Sequence, residues 1–91
     1  MKQGHLRALG KRIQELRKDR NLTQEGLAER CNLTLNYIGK VERGEAQPTL
    51  EALHAIANAL KSNLSNLFFY LDQPLTKDEI KTKIRELLDQ L

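Results

Sequence analysis

Apolar residues recur along this chain at intervals of three and four, and no segment shows the strict alternation of a half-buried strand. The pattern predicts an all-α fold. Helix one covers residues 6–19, with Leu6, Leu9, Ile13 and Leu16 on one stripe. Asn21 marks the turn after it. Thr23 is suited to cap helix two, which runs from Gln24 to Cys31 with Glu25 in its first turn, where the helix dipole favours a negative charge. Asn32 suits a left-handed break, since asparagine tolerates positive φ. Helix three begins near Thr34 and ends at Gly44. Thr49 caps helix four, with a core stripe of Leu50, Leu53, Ile56, Ala57 and Leu60, and Asn63 caps a short helix five carrying Leu64, Leu67 and Phe68.

A linker, Asp72-Gln73-Pro74-Leu75, then separates residues 1–71, read as one globular domain, from a C-terminal amphipathic helix. Thr76 and Glu79 have the spacing of a capping box and start this sixth helix. Ile80, Ile84, Leu87 and Leu91 follow at the a/d rhythm of a helix seam, which Leu88 widens. So short a helix does not hold in water without a surface over its apolar stripe. Two coverings are open: folding back beside Phe68, Phe69 and Leu71, or crossing to a second copy to form a dimer.

Helix three carries the candidate chemistry. With Leu35 set at 0°, Thr34, Ile38 and Val41 fall at roughly 260°, 300° and 240°, the expected buried face. Arg43, Asn36 and Lys40 fall at roughly 80°, 100° and 140°, with Gly39 beside them at about 40°. An amide and two cations thus share one face. Asparagine pairs with the N6 and N7 edge of adenine, and lysine or arginine reaches guanine or phosphate. Tyr37, near 200°, lies between the two sides, where it either packs or donates to a phosphate. A plain solvated face would also look like this. A second feature adds weight: Arg17 borders the stripe of helix one, and Glu42, at about 340°, borders that of helix three. Charges beside a core need partners, and the simplest arrangement is an Arg17–Glu42 ion pair that sets the angle of helix three.

Charge changes the picture further. The net charge is only +3, but residues 1–44 hold ten Lys or Arg against five acids, so the positive field lies in the N-terminal half. Residues 1–5 read either as an arm that reaches a polyanion or as a frayed end. The longest apolar run, residues 66–71, is far too short to span a bilayer, and the N-terminus shows no signal-peptide pattern. A single cysteine fits a reducing compartment, so a cytoplasmic location is expected. Cys31 falls at an apolar position and reads as a core thiol. His5 and His54 are isolated and suggest no metal set. No nucleophile–base pair or phosphate loop suggests an enzyme, and no cofactor is expected.

Three stretches together carry a family resemblance. They are Leu22-Thr23-Gln24-Glu25-Gly26-Leu27-Ala28-Glu29-Arg30, then Tyr37-Ile38-Gly39-Lys40-Val41-Glu42-Arg43-Gly44, then Pro48-Thr49-Leu50-Glu51-Ala52-Leu53 with Ser65-Asn66-Leu67-Phe68. Over residues 6–69 the chain resembles the phage-repressor-like helix-turn-helix family, which includes the lambda and 434 repressors and restriction–modification controller proteins. The resemblance implies a five-helix, lambda-repressor-like DNA-binding domain with helix three in the major groove. It implies a phosphate contact for Gln24, DNA-facing positions for Thr34, Leu35, Asn36 and Lys40, and a structural ion pair for Arg17 and Glu42. Leu35 departs from the arginine or glutamine of many relatives and suits a thymine methyl instead. Lys61 stands where relatives often carry glycine, so that turn is expected to be strained or differently built. The expected function is a sequence-specific regulator of transcription that binds a palindromic site in duplex DNA as a homodimer. Asn36, Lys40 and Leu35 would read bases, while Gln24, Thr34, Tyr37 and Arg43 would hold the backbone. The alternative is an antitoxin or adaptor whose main partner is another protein.

Overall fold

The second to fifth helices each open on a side chain that satisfies an otherwise free amide of the first turn. Thr23 Oγ1 accepts from the Gly26 N–H at 2.9 Å, and Thr34 Oγ1 from that of Tyr37 at 3.0 Å. Thr49 Oγ1 accepts from Ala52 at 3.0 Å, and Asn63 Oδ1 from Asn66 at 2.8 Å. The computed structural model describes residues 3–68 together with 81, 82, 84, 85, 88 and 89. Its helices are α1 (Gln3–Asp19), α2 (Gln24–Cys31), α3 (Leu35–Glu42), α4 (Leu50–Ala59) and α5 (Leu64–Leu67). No strand occurs among the described residues. The first helix starts earlier than its apolar stripe suggested: Gln3, Gly4 and His5 are exposed but helical, extending α1 rather than forming a separate arm.

Helix ends are as regular as the starts. Asn21, Asn32, Gly44 and Lys61 adopt positive φ, between 53° and 73°. Beyond each, the chain turns back to bond a carbonyl of the helix just left: Leu22 to Arg17, Leu33 to Ala28, Glu45 to Lys40 and Ser62 to Ala57, at 2.8–3.0 Å. Asparagine and glycine suit this conformation. A lysine Cβ does not, and the left-handed region costs it roughly 1–2 kcal/mol. The expected strain at Lys61 is therefore present, on a turn of ordinary build. Lys61→Gly is expected to stabilise the fold by about 1 kcal/mol, less than the full strain because glycine also gains freedom in the unfolded chain. A urea midpoint that stays put or falls would contradict this.

The core takes Leu9, Ile13 and Leu16 from α1, Leu27, Ala28 and Cys31 from α2, Ile38 and Val41 from α3, Leu53, Ile56, Ala57 and Leu60 from α4, and Leu67 from α5. α2 packs on α3 and α4, while α1 packs on α3 and α5. Arg12 adds a polar tie from α1 to α5. Its Nε donates to the Asn66 carbonyl and its Nη2 to Asn66 Oδ1, both at 3.1 Å. Cys31 lies in the core, where burial pushes its thiol pKa up and disfavours the reactive thiolate. Leu50 departs from its expected place: it is 63% exposed, and Ala52 is buried in α4 instead. Leu50 stands roughly 90° from the centre of the buried stripe and in the first turn, at the rim of the packing.

Residues 81, 82, 84, 85, 88 and 89 are helical, as expected for a sixth helix. Ile84 and Leu88 are 52% and 62% exposed. Ile80, Leu87 and Leu91, the other expected seam positions, lie outside the described residues, as do the linker, Phe69 and Leu71. No described helix is long and apolar enough to cross a membrane.

Candidate nucleic-acid interface

α3 projects one exposed face because three neighbours hold it from behind. The first is α1. At Gly10 the helix lies so close to the end of α3 that a Cβ there would stand 2.4 Å from the Val41 carbonyl oxygen and 2.5 Å from that of Glu42. The second is Arg17, buried with Glu42. Its Nε donates to Glu42 Oε2 at 2.8 Å, its Nη2 to Oε1 at 3.0 Å, and its Nη1 to the Leu22 carbonyl at 2.8 Å. The pair expected from the edges of two apolar stripes is thus a two-pronged, buried bridge. The third is Gln24 at the start of α2, whose Nε2 donates to Glu42 Oε1 at 3.0 Å. One carboxylate therefore gathers α1, α2 and α3, and the described residues leave no buried side-chain N or O atom without a partner.

On the outward side, Thr34, Leu35, Asn36, Lys40 and Arg43 are exposed, Tyr37 is half-buried, and Ile38 and Val41 are buried. Two positions differ from the angular reading. Thr34 belongs to the exposed side, not the buried one. It precedes the helix with φ −77° and ψ 152°, so the 100° rotation does not reach it, and its oxygen is engaged as the cap of α3. Its hydroxyl hydrogen remains free to donate. Gly39 is buried rather than open on the polar face, because Arg43 lies over it: a Cβ at Gly39 would meet Arg43 Nη1 at 2.9 Å.

Gln24 has a second duty that the sequence did not disclose. One of its two amide protons serves Glu42, while the other, with the backbone N–H groups of Gln24 and Glu25 ahead of the capped Gly26, is left for an outside acceptor. Arg43 Nη2 pairs with Glu45 Oε2 at 3.1 Å, but both side chains are more than half exposed. Such a pair contributes little and yields readily to a phosphate. Tyr37, Thr34 and Thr49 line one open hollow with Asn32, Leu33 and Ala52. No metal-binding cluster occurs among the described residues.

The residue that seats α3 and that the apolar pattern does not disclose is Gly10. A mid-helix glycine beside Leu9 on the buried stripe, costly relative to alanine, was the available signal.

A capped helix, a left-handed turn, and a second capped helix held by a buried bridge form the arrangement of α2 and α3. The sequence profile of the helix-turn-helix family matches residues 13–67. The chain belongs to this family. Among helix-turn-helix relatives, the immunity repressor protein of Bacillus phage phi105 is 39% identical over 71 residues, covering 78% of this chain and 48% of that protein. The chain thus spans about half the length of the phage repressor. Control protein C.SmaI of Serratia marcescens is 41% identical over 59 residues, covering 65% of this chain and 70% of that protein. The crystal structure of the restriction–modification controller protein C.AhdI from Aeromonas hydrophila superposes with a TM-score of 0.71 at 37% identity, over 71% of this chain and 98% of that one. As a helix-turn-helix protein, the chain groups with repressors and regulators and not with enzymes.

Proposed function

We propose that the protein is a regulator of transcription that binds a specific palindromic site in double-stranded DNA as a homodimer, with α3 in the major groove. The observation that carries this reading is the exposed face of α3, with Leu35, Asn36 and Lys40 pointing outward from a helix fixed behind by Arg17 and Glu42. Bases are read by Asn36, Lys40 and Leu35. Gln24, Thr34, Tyr37 and Arg43 grip the sugar–phosphate backbone. Such an assignment suits a protein of the cytoplasm.

Selection of bound sequences from a random duplex pool at about 150 mM salt tests the reading, because a specific regulator still selects one short site there. On that site, Asn36→Ala and Lys40→Ala are each expected to cost about 1–3 kcal/mol and to relax preference at different base pairs. Arg43→Ala is expected to weaken all sequences alike and to lower the salt slope by about one. No enrichment from the pool, or unaltered affinity and preference in both Asn36 and Lys40 variants, would remove the support.

The dimer rests on the C-terminal helix, where Ile84 and Leu88 expose apolar surface. Proteins that read paired half-sites in this way are usually two-fold symmetric. Deleting residues 76–91 is expected to give a folded but more monomeric protein in sedimentation, much weaker on a palindrome, because α1 to α5 share a core of their own. A truncated chain that stays dimeric would move the interface elsewhere. One that unfolds would show that the helix folds back on its own domain. One that loses a different bound protein would favour the adaptor alternative.

A further inference from the structure

Leu35 is chemically out of keeping with its position. It is the first residue of α3, 44% exposed, between exposed Thr34 and Asn36. The fold makes little use of its hydrocarbon. Two shallow hollows flank it, one shared with Glu25, Ala28, Glu29 and Leu33, the other with Arg17, Thr23, Gln24 and Glu25. Gln24, which shares a hollow with it, is tied by its amide to Glu42 at 3.0 Å. Side chain 35 itself offers no hydrogen bond. This end of the helix therefore presents an apolar knob, while Asn36 and Lys40, on the same exposed face, present polar groups.

Among the base edges of the major groove, one hydrocarbon group stands out: the C5 methyl of thymine. 5-Methylcytosine carries the same group at the same ring position, whereas cytosine and uracil lack it. We propose that Leu35 reads a pyrimidine C5 methyl group, so that the protein prefers thymine at one position of each half-site and accepts 5-methylcytosine there over cytosine. Binding then responds to cytosine methylation of the site, without any dedicated methyl-binding pocket. The inference rests on the DNA-binding reading above and deepens it. Removing one methyl from water against leucine corresponds to about fourfold in affinity for each half-site.

The test uses the selected duplex and full-length protein. Each thymine is replaced in turn by uracil, and by cytosine or 5-methylcytosine, and affinity is measured by fluorescence anisotropy for the wild type and Leu35→Ala. Urea unfolding verifies that Leu35→Ala is folded. One position per half-site is expected where uracil costs about fourfold, and where 5-methylcytosine binds about fourfold better than cytosine. In Leu35→Ala both differences should vanish at that position. The proposal is overturned if no position responds to the methyl group, if cytosine is preferred whether or not it is methylated, or if the response persists in Leu35→Ala. Failure to select any duplex would remove the DNA-binding reading and this inference together; a selected duplex without a methyl response would remove the inference alone.

Discussion

Arg17→Ala is expected to lower stability by about 3–5 kcal/mol, a large share of what a domain of this size possesses. The cause is the carboxylate left behind. Glu42 is only 8% exposed and has Arg17 as its cationic partner. With Arg17 gone, Gln24 alone donates to Glu42, and the Leu22 carbonyl loses the Nη1 bond as well. Exposed Arg7 and Lys18 serve as controls: Arg7→Ala and Lys18→Ala should stay within about 0.5 kcal/mol of the parent. Comparison of urea midpoints across the three variants checks the expectation, and equal small losses would contradict it. The double variant Arg17→Met with Glu42→Leu should cost far less than either single change, because no charge is then stranded in the core. That variant separates stability from function. The bridge fixes the seat of α3, so a well-folded apolar replacement should still bind the selected duplex more weakly than the parent.

Gly10→Ala is the second large effect, and its sign opposes helix propensity. Alanine is favoured over glycine within a helix by up to about 1 kcal/mol. At Gly10 the new Cβ would meet the backbone oxygens of Val41 and Glu42 at 2.4 and 2.5 Å, so α1 and α3 must part. Backbone atoms at a helix end yield poorly, and overpacking of this kind costs about 3 kcal/mol. Gly4→Ala is the matched control. Nothing lies within 4 Å of a Cβ there, so propensity alone acts and stability should hold or rise slightly. Thermal unfolding of both variants decides the matter; a Gly10→Ala protein as stable as the Gly4→Ala protein would show that the two helices separate at no cost. Because the displaced element is α3, DNA affinity should fall together with stability.

Features that depend on neighbours along the chain were legible in the order of its residues. Thr23, Thr49 and Asn63 could be read as caps because a capping oxygen bonds an amide only three residues ahead, whereas spacing placed Thr34 inside its helix instead of at the cap it forms. Asn32 and Gly44 could be read as left-handed ends because that conformation is a property of the single residue. The burial of Leu9, Ile13 and Leu16 in α1 and of Ile38 and Val41 in α3 followed from rotation per residue, as did the outward direction of Asn36, Lys40 and Arg43. Even the Arg17–Glu42 bridge was legible, since two opposite charges bordering two apolar stripes have few other places to go.

Features that depend on how closely the helices approach came from the packing alone. Gly10 carries no chemical group that marks it along the chain, and its role comes from the backbone of α3 lying against it. Gln24 is suited to a phosphate by position, but its tie to Glu42 exists because α2 and α3 converge on one carboxylate. Gly39 is covered by an arginine four residues on, and Leu50 is left at the rim although it spaces correctly with Leu53. Sequence spacing gives the direction in which a side chain leaves its own helix. It does not give the distance to the next helix, and at these four residues that distance, or the path of a flexible side chain, sets the role.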